Sequence, residues 1–225
     1  MSSFDAAGKL ISATFAEAER RGWRGLTIPM LAKKAGLTVA EAYKVAPDMA
    51  ALLDVYAERV DAQVAEDLAG EVGALDAPTE GEWRERLFDA FMLRFDVMLK
   101  NREALRVIFI EERRGVIGLP RAVLRAQRSM HRMLDAAGLG EDALASRAAA
   151  VALVPLYARI FQVWLKDEPD QAKTMAALDK ALRRLERWLE RARSAARRVR
   201  PAREDASEAP EPPLDAAAPS GETKH

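Results

Sequence analysis

Apolar residues recur every three or four positions along most of the chain up to residue 200, and glycine and proline are sparse there. The ordered part is therefore expected to be nearly all helical. No alternating β-branched run points to a strand, and no segment repeats at a fixed period. The periodic stretches are interrupted at Gly22 to Gly25, Gly36 to Thr38, Pro47-Asp48, Gly70 to Gly81, Gly115 to Pro120, Gly138 to Glu141 and Asp167 to Asp170. These residues stop or cap helices, and together they punctuate roughly nine of them. The mixture of Gly, Asp, Pro and Glu between 70 and 81 marks the main boundary. The expected architecture is all-α: a three-helix domain over 1–60, a connecting helix and linker over 61–81, a domain of about six helices over 82–192, and a basic helix end with a tail over 193–225. Beyond Pro201 large apolar side chains nearly vanish, so the burial that offsets chain entropy is missing and disorder is expected.

The first helix, from about Asp5 to Arg21, sets Leu10, Ile11, Thr14, Phe15 and Ala18 on one stripe. Thr27 is placed to cap the next helix through its side-chain oxygen, with Pro29 tolerated in the first turn and Ile28, Leu31, Ala32 and Ala35 pointing one way. That helix ends at Gly36. Thr38 and Glu41 have the spacing of a capping box, which predicts a short helix from Val39 to Val45. Two short helices joined by Gly36-Leu37-Thr38 form a helix-turn-helix, whose second helix can enter a DNA major groove. The same turn also occurs in small helical bundles that bind no DNA.

Farther along, Phe88, Met92, Phe95 and Leu99 follow at intervals of four, three and four, as one buried face requires. Met130, Met133 and Leu134 line a later segment, and Val154, Tyr157, Ile160, Phe161 and Trp164 another. Such residues usually fill a core. The alternative is a cavity for an apolar molecule such as a lipid or quinone, because methionine and aromatic walls adapt without leaving polar atoms unpaired. Met92, Phe95, Phe109, Met130, Met133, Tyr157, Phe161 and Trp164 are its candidate wall.

Composition narrows the chemistry. Hydrophobic residues at 49% against 31% charged are ordinary for a soluble globular chain, and no apolar run approaches the roughly 20 residues of a membrane span. The first residues lack a basic cluster and an apolar core, so a cytoplasmic protein is expected. With no cysteine, thiolate metal sites and cysteine nucleophiles are excluded. The adjacent Glu111 and Glu112 point apart on a helix, His131 has no evident carboxylate partner, and glycine-rich phosphate loops are absent. Neither catalysis nor a cofactor is expected. Lys and Arg balance Asp and Glu at 35 each, which argues against a protein held on nucleic acid by bulk charge. The one strongly basic stretch runs from Arg183 to Arg203, with nine arginines against Glu186 and Glu190.

The run from Leu10 to Leu53 resembles the N-terminal domain of the TetR family of transcriptional regulators in length, turn placement and apolar positions. Gly22, Thr27, Ala32, Ala35, Gly36, Leu37, Tyr43 and Leu52 carry the likeness. It implies a homodimer that binds an operator, with Thr27, Lys33, Lys34, Thr38, Glu41, Tyr43 and Lys44 as the DNA-contacting residues. Arg20, Arg21 and Arg24 would lie nearby. Two positions depart: Ala46 stands where the family has an aromatic residue, and Met49 where it has a lysine that grips phosphate.

A second resemblance covers Trp83 to about Arg191. RLFDAFMLRFDVM, RSMHRMLDAAGL and PLYARIFQVWLKDEPDQAKTMAALDKALRRLERWL, with Asp96, Arg128, Ser129, Trp164, Asp167, Thr174 and Leu178 among the matching residues, are similar to the C-terminal domain of a lipid-binding accessory family of ubiquinone biosynthesis. That family has a TetR-like fold without a repressor's role. The likeness implies a pocket for an isoprenoid or other lipid and an amphipathic helix touching the inner membrane surface. Residues 182–200 are the candidate, with Trp188, Leu189, Arg191 and Arg193 as its membrane contacts. A terminal core or dimer helix with one solvated face fits the same pattern. The two resemblances yield two readings, a DNA-binding regulator that senses an apolar ligand and a lipid-binding accessory protein. The intact turn favours the regulator.

Overall fold

The computed structural model describes residues 3–72, 82–113, 118–139 and 143–199. The linker from 73 to 81 and the tail beyond 199, both addressed by the sequence, lie outside the described residues. Among those described there are nine α-helices and no strand: α1 (Ser3–Arg21), α2 (Ile28–Ala35), α3 (Val39–Val45), α4 (Met49–Val72), α5 (Glu82–Met98), α6 (Arg102–Glu112), α7 (Gly118–Ala136), α8 (Ala143–Trp164) and α9 (Ala172–Val199). The described residues up to Arg183 pack as one compact unit, and those from Arg184 to Val199 belong to another.

Within the first unit α1 lies against α2, α3, α4 and α6. Its stripe supplies Leu10 and Ala18, both fully buried, with Leu31, Ala32, Ala42 and Ala46 facing them. Phe15 meets Tyr56 of α4 edge to face at 4.7 Å. The larger core sits among α4, α5, α7 and α8, where Phe91, Phe95, Met130, Met133, Ile160 and Trp164 are inaccessible. Each such side chain contributes roughly 1.5–3 kcal/mol on leaving water.

Helix breaks follow the sequence punctuation with two exceptions. A 3-10 turn at Leu99–Asn101 separates α5 from α6 without glycine or proline. The turn is held from outside, by Asn101 Nδ2 donating to the Tyr56 hydroxyl at 3.3 Å. At the other exception, α7 begins at Gly118, inside a stretch expected to be loop. Pro120 then falls in the first turn, where its missing N–H costs nothing. Helix α4 runs unbroken through residue 60, so a single rod leaves the helix-turn-helix and enters the larger core.

The start of α9 explains several residues behind the second resemblance. One Asp167 carboxylate oxygen accepts from the Thr174 N–H at 2.6 Å and the Thr174 hydroxyl at 2.7 Å, while Leu178 and Leu182 are fully buried. Asp167, Thr174 and Leu178 thus dock the first turns of α9.

Candidate functional site: a DNA-contact face and a ligand cavity

Gly36 ends α2 in the left-handed region at φ 67°, its N–H shared between the Ala32 and Lys33 carbonyls. Glycine reaches that conformation without strain. The capping box at α3 is formed: Glu41 N–H donates to the Thr38 hydroxyl at 3.2 Å, and the Thr38 N–H returns to the Glu41 carboxylate at 2.8 Å. The Thr38 N–H, and after it the Thr38 hydroxyl donating at 2.7 Å, hold the Glu41 carboxyl below its usual range. Glu41 is therefore engaged by its own helix start. Thr27 differs from expectation. It sits extended at φ −135° and makes no side-chain cap, and Pro29 in the first turn has no N–H to offer it.

The exposed face of α3 presents Val39, Ala40, Tyr43 and Lys44, with Thr38 at its edge. Lys33 and Lys44 are exposed and make no ion pair among the described residues. Lys34 is committed elsewhere. Arg20, Arg21 and Lys34 converge on Glu17 at 2.8, 2.7 and 3.5 Å, tying α1 to α2. The hydrogen bond from Arg20, assisted by the neighbouring charges, outweighs burial and lowers the Glu17 carboxyl from 4.5 to about 2. Ala46 is fully buried, so no aromatic side chain stands at that corner, and Met49 opens α4 half-buried. Asp48 caps α4, accepting the Ala51 N–H at 2.7 Å, and grips Arg121 of α7 at 2.9 Å.

A cavity of about 190 Å³ lies among α4, α5, α6, α7 and α8. Of the eight expected wall residues, Phe109, Tyr157 and Phe161 line it. Phe95 and Trp164 do not, but they extend the same aromatic cluster: Phe95 to Tyr157 is 6.1 Å, Phe95 to Trp164 5.4 Å, Trp164 to Phe161 5.5 Å and Phe161 to Phe109 5.4 Å between ring centres. Met130 and Met133 are buried core away from the wall, and Met92 is half-buried outside it.

Sequence reasoning missed the polar part of the wall. Arg94 of α5 is buried and ion-paired with Asp61 of α4, with further bonds to Ser129 of α7 at 3.2 Å and the Tyr157 hydroxyl of α8 at 3.3 Å. Four helices meet at one guanidinium. The signal was present, since Arg94 falls on the buried stripe of Phe91, Phe95 and Met98. Arg125 of α7 also faces the cavity, bound through Nε to Asp54 of α4 at 2.8 Å and lying 3.6 Å from Glu112 of α6. Burial raises the Glu112 carboxyl, with Arg125 opposing. Burial likewise pushes the Tyr56 hydroxyl up to about 12.

These contacts belong to a ladder. Arg121, Arg125, Arg128 and Arg132 recur along one face of α7 and meet Asp48, Asp54, Glu58 and Asp61 at the start and along α4. The carboxylates at 111 and 112 do point apart, and each has a task. Glu112 lines the cavity, while Glu111 accepts the Trp23 and Arg24 N–H groups at 3.1 and 2.7 Å in the turn between α1 and α2. Gly22, at φ 89°, makes room for it, since a Cβ there would lie 2.8 Å from the Glu111 carboxylate. His131 has a carboxylate neighbour after all, Asp135 one turn on at 3.8 Å.

On α9, Leu182 is spent in the core, so the stripe assigned to a membrane face loses its first residue. Trp188 and Arg191 are exposed; the side chains of Leu189 and Arg193 lie outside the described residues. No helix among the described residues is long and apolar enough to cross a membrane.

Models of protein families and curated protein sequences give no match to the chain. Among solved structures it is similar to the TetR transcriptional regulator from Nitrosomonas europaea ATCC 19718, with a TM-score of 0.60 and 18% identity, covering 78% of this chain and 95% of that one. It is also similar to a TetR transcriptional regulator from Rhodococcus sp. RHA1, with a TM-score of 0.55 and 16% identity, covering 82% of this chain and 97% of that one. At these identities the likeness is one of fold: the chain has an all-α, TetR-like fold. The comparisons lend no support to the resemblance with ubiquinone accessory proteins.

Proposed function

We propose that the protein is a TetR-like transcriptional regulator, a homodimer that binds operator DNA through α3 and senses a small apolar ligand in the cavity. The observation that carries this reading is the course of α4. It starts beside the helix-turn-helix at Met49 and supplies Leu53, Tyr56 and Ala57 to the cavity wall, so one rigid element touches both sites. Val39, Tyr43 and Lys44 on the exposed face of α3 would meet the groove, with Thr38 at its edge and Lys33 on phosphate. Lys34 and Glu41, already paired, contribute less. Exposed Val151 on α8 and Met175 on α9 favour a second copy of the chain as their cover.

The cavity also bears on the accessory reading. An engineered apolar cavity of about 150 Å³ accommodates benzene, so about 190 Å³ suits a single substituted ring. A polyisoprenoid chain is far larger.

The deciding experiment is a salt-titrated binding assay with DNA from upstream of the protein's own gene, run beside random duplex. The regulator binds the upstream DNA at least about a thousandfold more tightly. Equal binding to both overturns the reading.

A further inference from the structure

The first turn of α3 has its polar side chains engaged with each other. The Glu41 carboxylate accepts the Thr38 N–H and the Thr38 hydroxyl, and the Glu41 N–H donates back to that hydroxyl. What this turn leaves exposed is apolar: Val39, at 44% exposure, and Ala40 beside it. Helix α3 carries no Arg, Asn or Gln, the side chains that grip guanine or adenine through two hydrogen bonds at once.

Where a helix-turn-helix sits on DNA, the first residues of its second helix meet base edges in the major groove. Among those edges only thymine presents a methyl group, on C5. Val39 and Ala40 are short, so α3 can approach the groove floor closely, and packing their carbons on a methyl strips water from no polar atom. A guanine or adenine edge in the same place would lose water from N7 and gain no donor in return. Lys44 and the Tyr43 hydroxyl, one turn farther on, suit phosphate oxygens, and such contacts carry no sequence information directly.

We propose that α3 selects its operator by thymine C5-methyl groups, packed in each half-site against Val39 and Ala40. The inference rests on the regulator reading and names what its DNA-contact helix recognises.

The test takes the duplex that the full chain enriches from a pool of random-sequence DNA, synthesised once with thymine and once with uracil, which differs only in lacking the methyl. The enriched half-sites share thymines, and uracil weakens binding about tenfold, the effect of losing one buried methyl in each of two half-sites. Val39→Ala, an exposed change that leaves the capping box in place, brings the ratio of the two affinities down to about threefold or less. Lys44→Met weakens both duplexes alike and keeps the ratio. Equal affinity for the thymine and uracil duplexes overturns the proposal. So does a uracil penalty undiminished in Val39→Ala, which would place the effect in the shape of the DNA rather than in a methyl contact. Loss of the ratio in Lys44→Met overturns it as well. In each of these cases the enriched duplex is still bound and the regulator reading stands. A pool that yields no enriched duplex overturns the regulator reading and the proposal with it.

Discussion

At the residue scale the most informative side chain is Arg94. A guanidinium at 3% exposure is tolerated only because Asp61, Ser129 and Tyr157 meet its donors. Arg94→Met leaves Asp61 buried and partly unpaired, and stability is expected to fall by about 3–5 kcal/mol. Adding Asp61→Leu restores more than half of that loss, because a buried ion pair replaced on both sides by apolar groups is often close to neutral. Urea unfolding of both variants checks it, and a double variant no more stable than the single would show that Arg94 acts through packing alone. Arg94 was legible in principle, as a charge set on a stripe of Phe91, Phe95 and Met98. Its partner was not, because spacing along α5 says nothing about which residue of α4 lies opposite. The same limit explains the methionines and aromatics. Periodicity puts Met130, Met133, Phe95 and Trp164 on buried faces, yet whether a buried face meets a neighbour or a void is settled by how the helices pack.

At the element scale local signals were dependable where a few neighbouring residues suffice. The Thr38–Glu41 box and the Gly36 stop needed no tertiary information, whereas the 3-10 turn at Leu99–Asn101 is fixed by Tyr56 on another helix and left no mark in the sequence. Thr38→Ala removes the cap of a seven-residue helix and is expected to cost about 1 kcal/mol, read from the thermal midpoint. It should also weaken DNA binding, since α3 has little else to hold its first turn. The junction of α1 and α2 carries a pH dependence. The Glu17 carboxyl is lowered from 4.5 to about 2 in the folded protein, so its ionised form is favoured by folding. Its stabilising contribution is complete above about pH 4.5, declines as pH falls, and is gone below about pH 2. Glu17→Gln should therefore lose stability at neutral pH and show a flatter stability curve between pH 5 and 2. Chemical denaturation across that range checks both, and an unchanged slope would assign the acid response to other carboxylates.

At the scale of the whole molecule the two sites are joined by more than α4. Helix α6 ends in Glu111 and Glu112, and because adjacent residues on a helix diverge, one carboxylate reaches the turn between α1 and α2, beside the helix-turn-helix, while its neighbour stands at the cavity. Sequence supplied the divergence but not the destinations, which depend on α6 lying against α1. A shift of α6 on filling the cavity would have to stretch the two bonds from the Trp23 and Arg24 N–H groups or carry the turn with it. Glu111→Ala removes that tie without touching the cavity wall. Hydrogen exchange at the amides of Trp23 and Arg24 should accelerate, and ligand affinity measured without DNA should stay within about twofold. The response of DNA affinity to ligand should shrink to the part that α4 carries, because a ligand shifts an equilibrium only through contacts that differ between its states. Full retention of that response in Glu111→Ala, with the two amides freely exchanging, would place the coupling entirely in α4 and its arginine ladder.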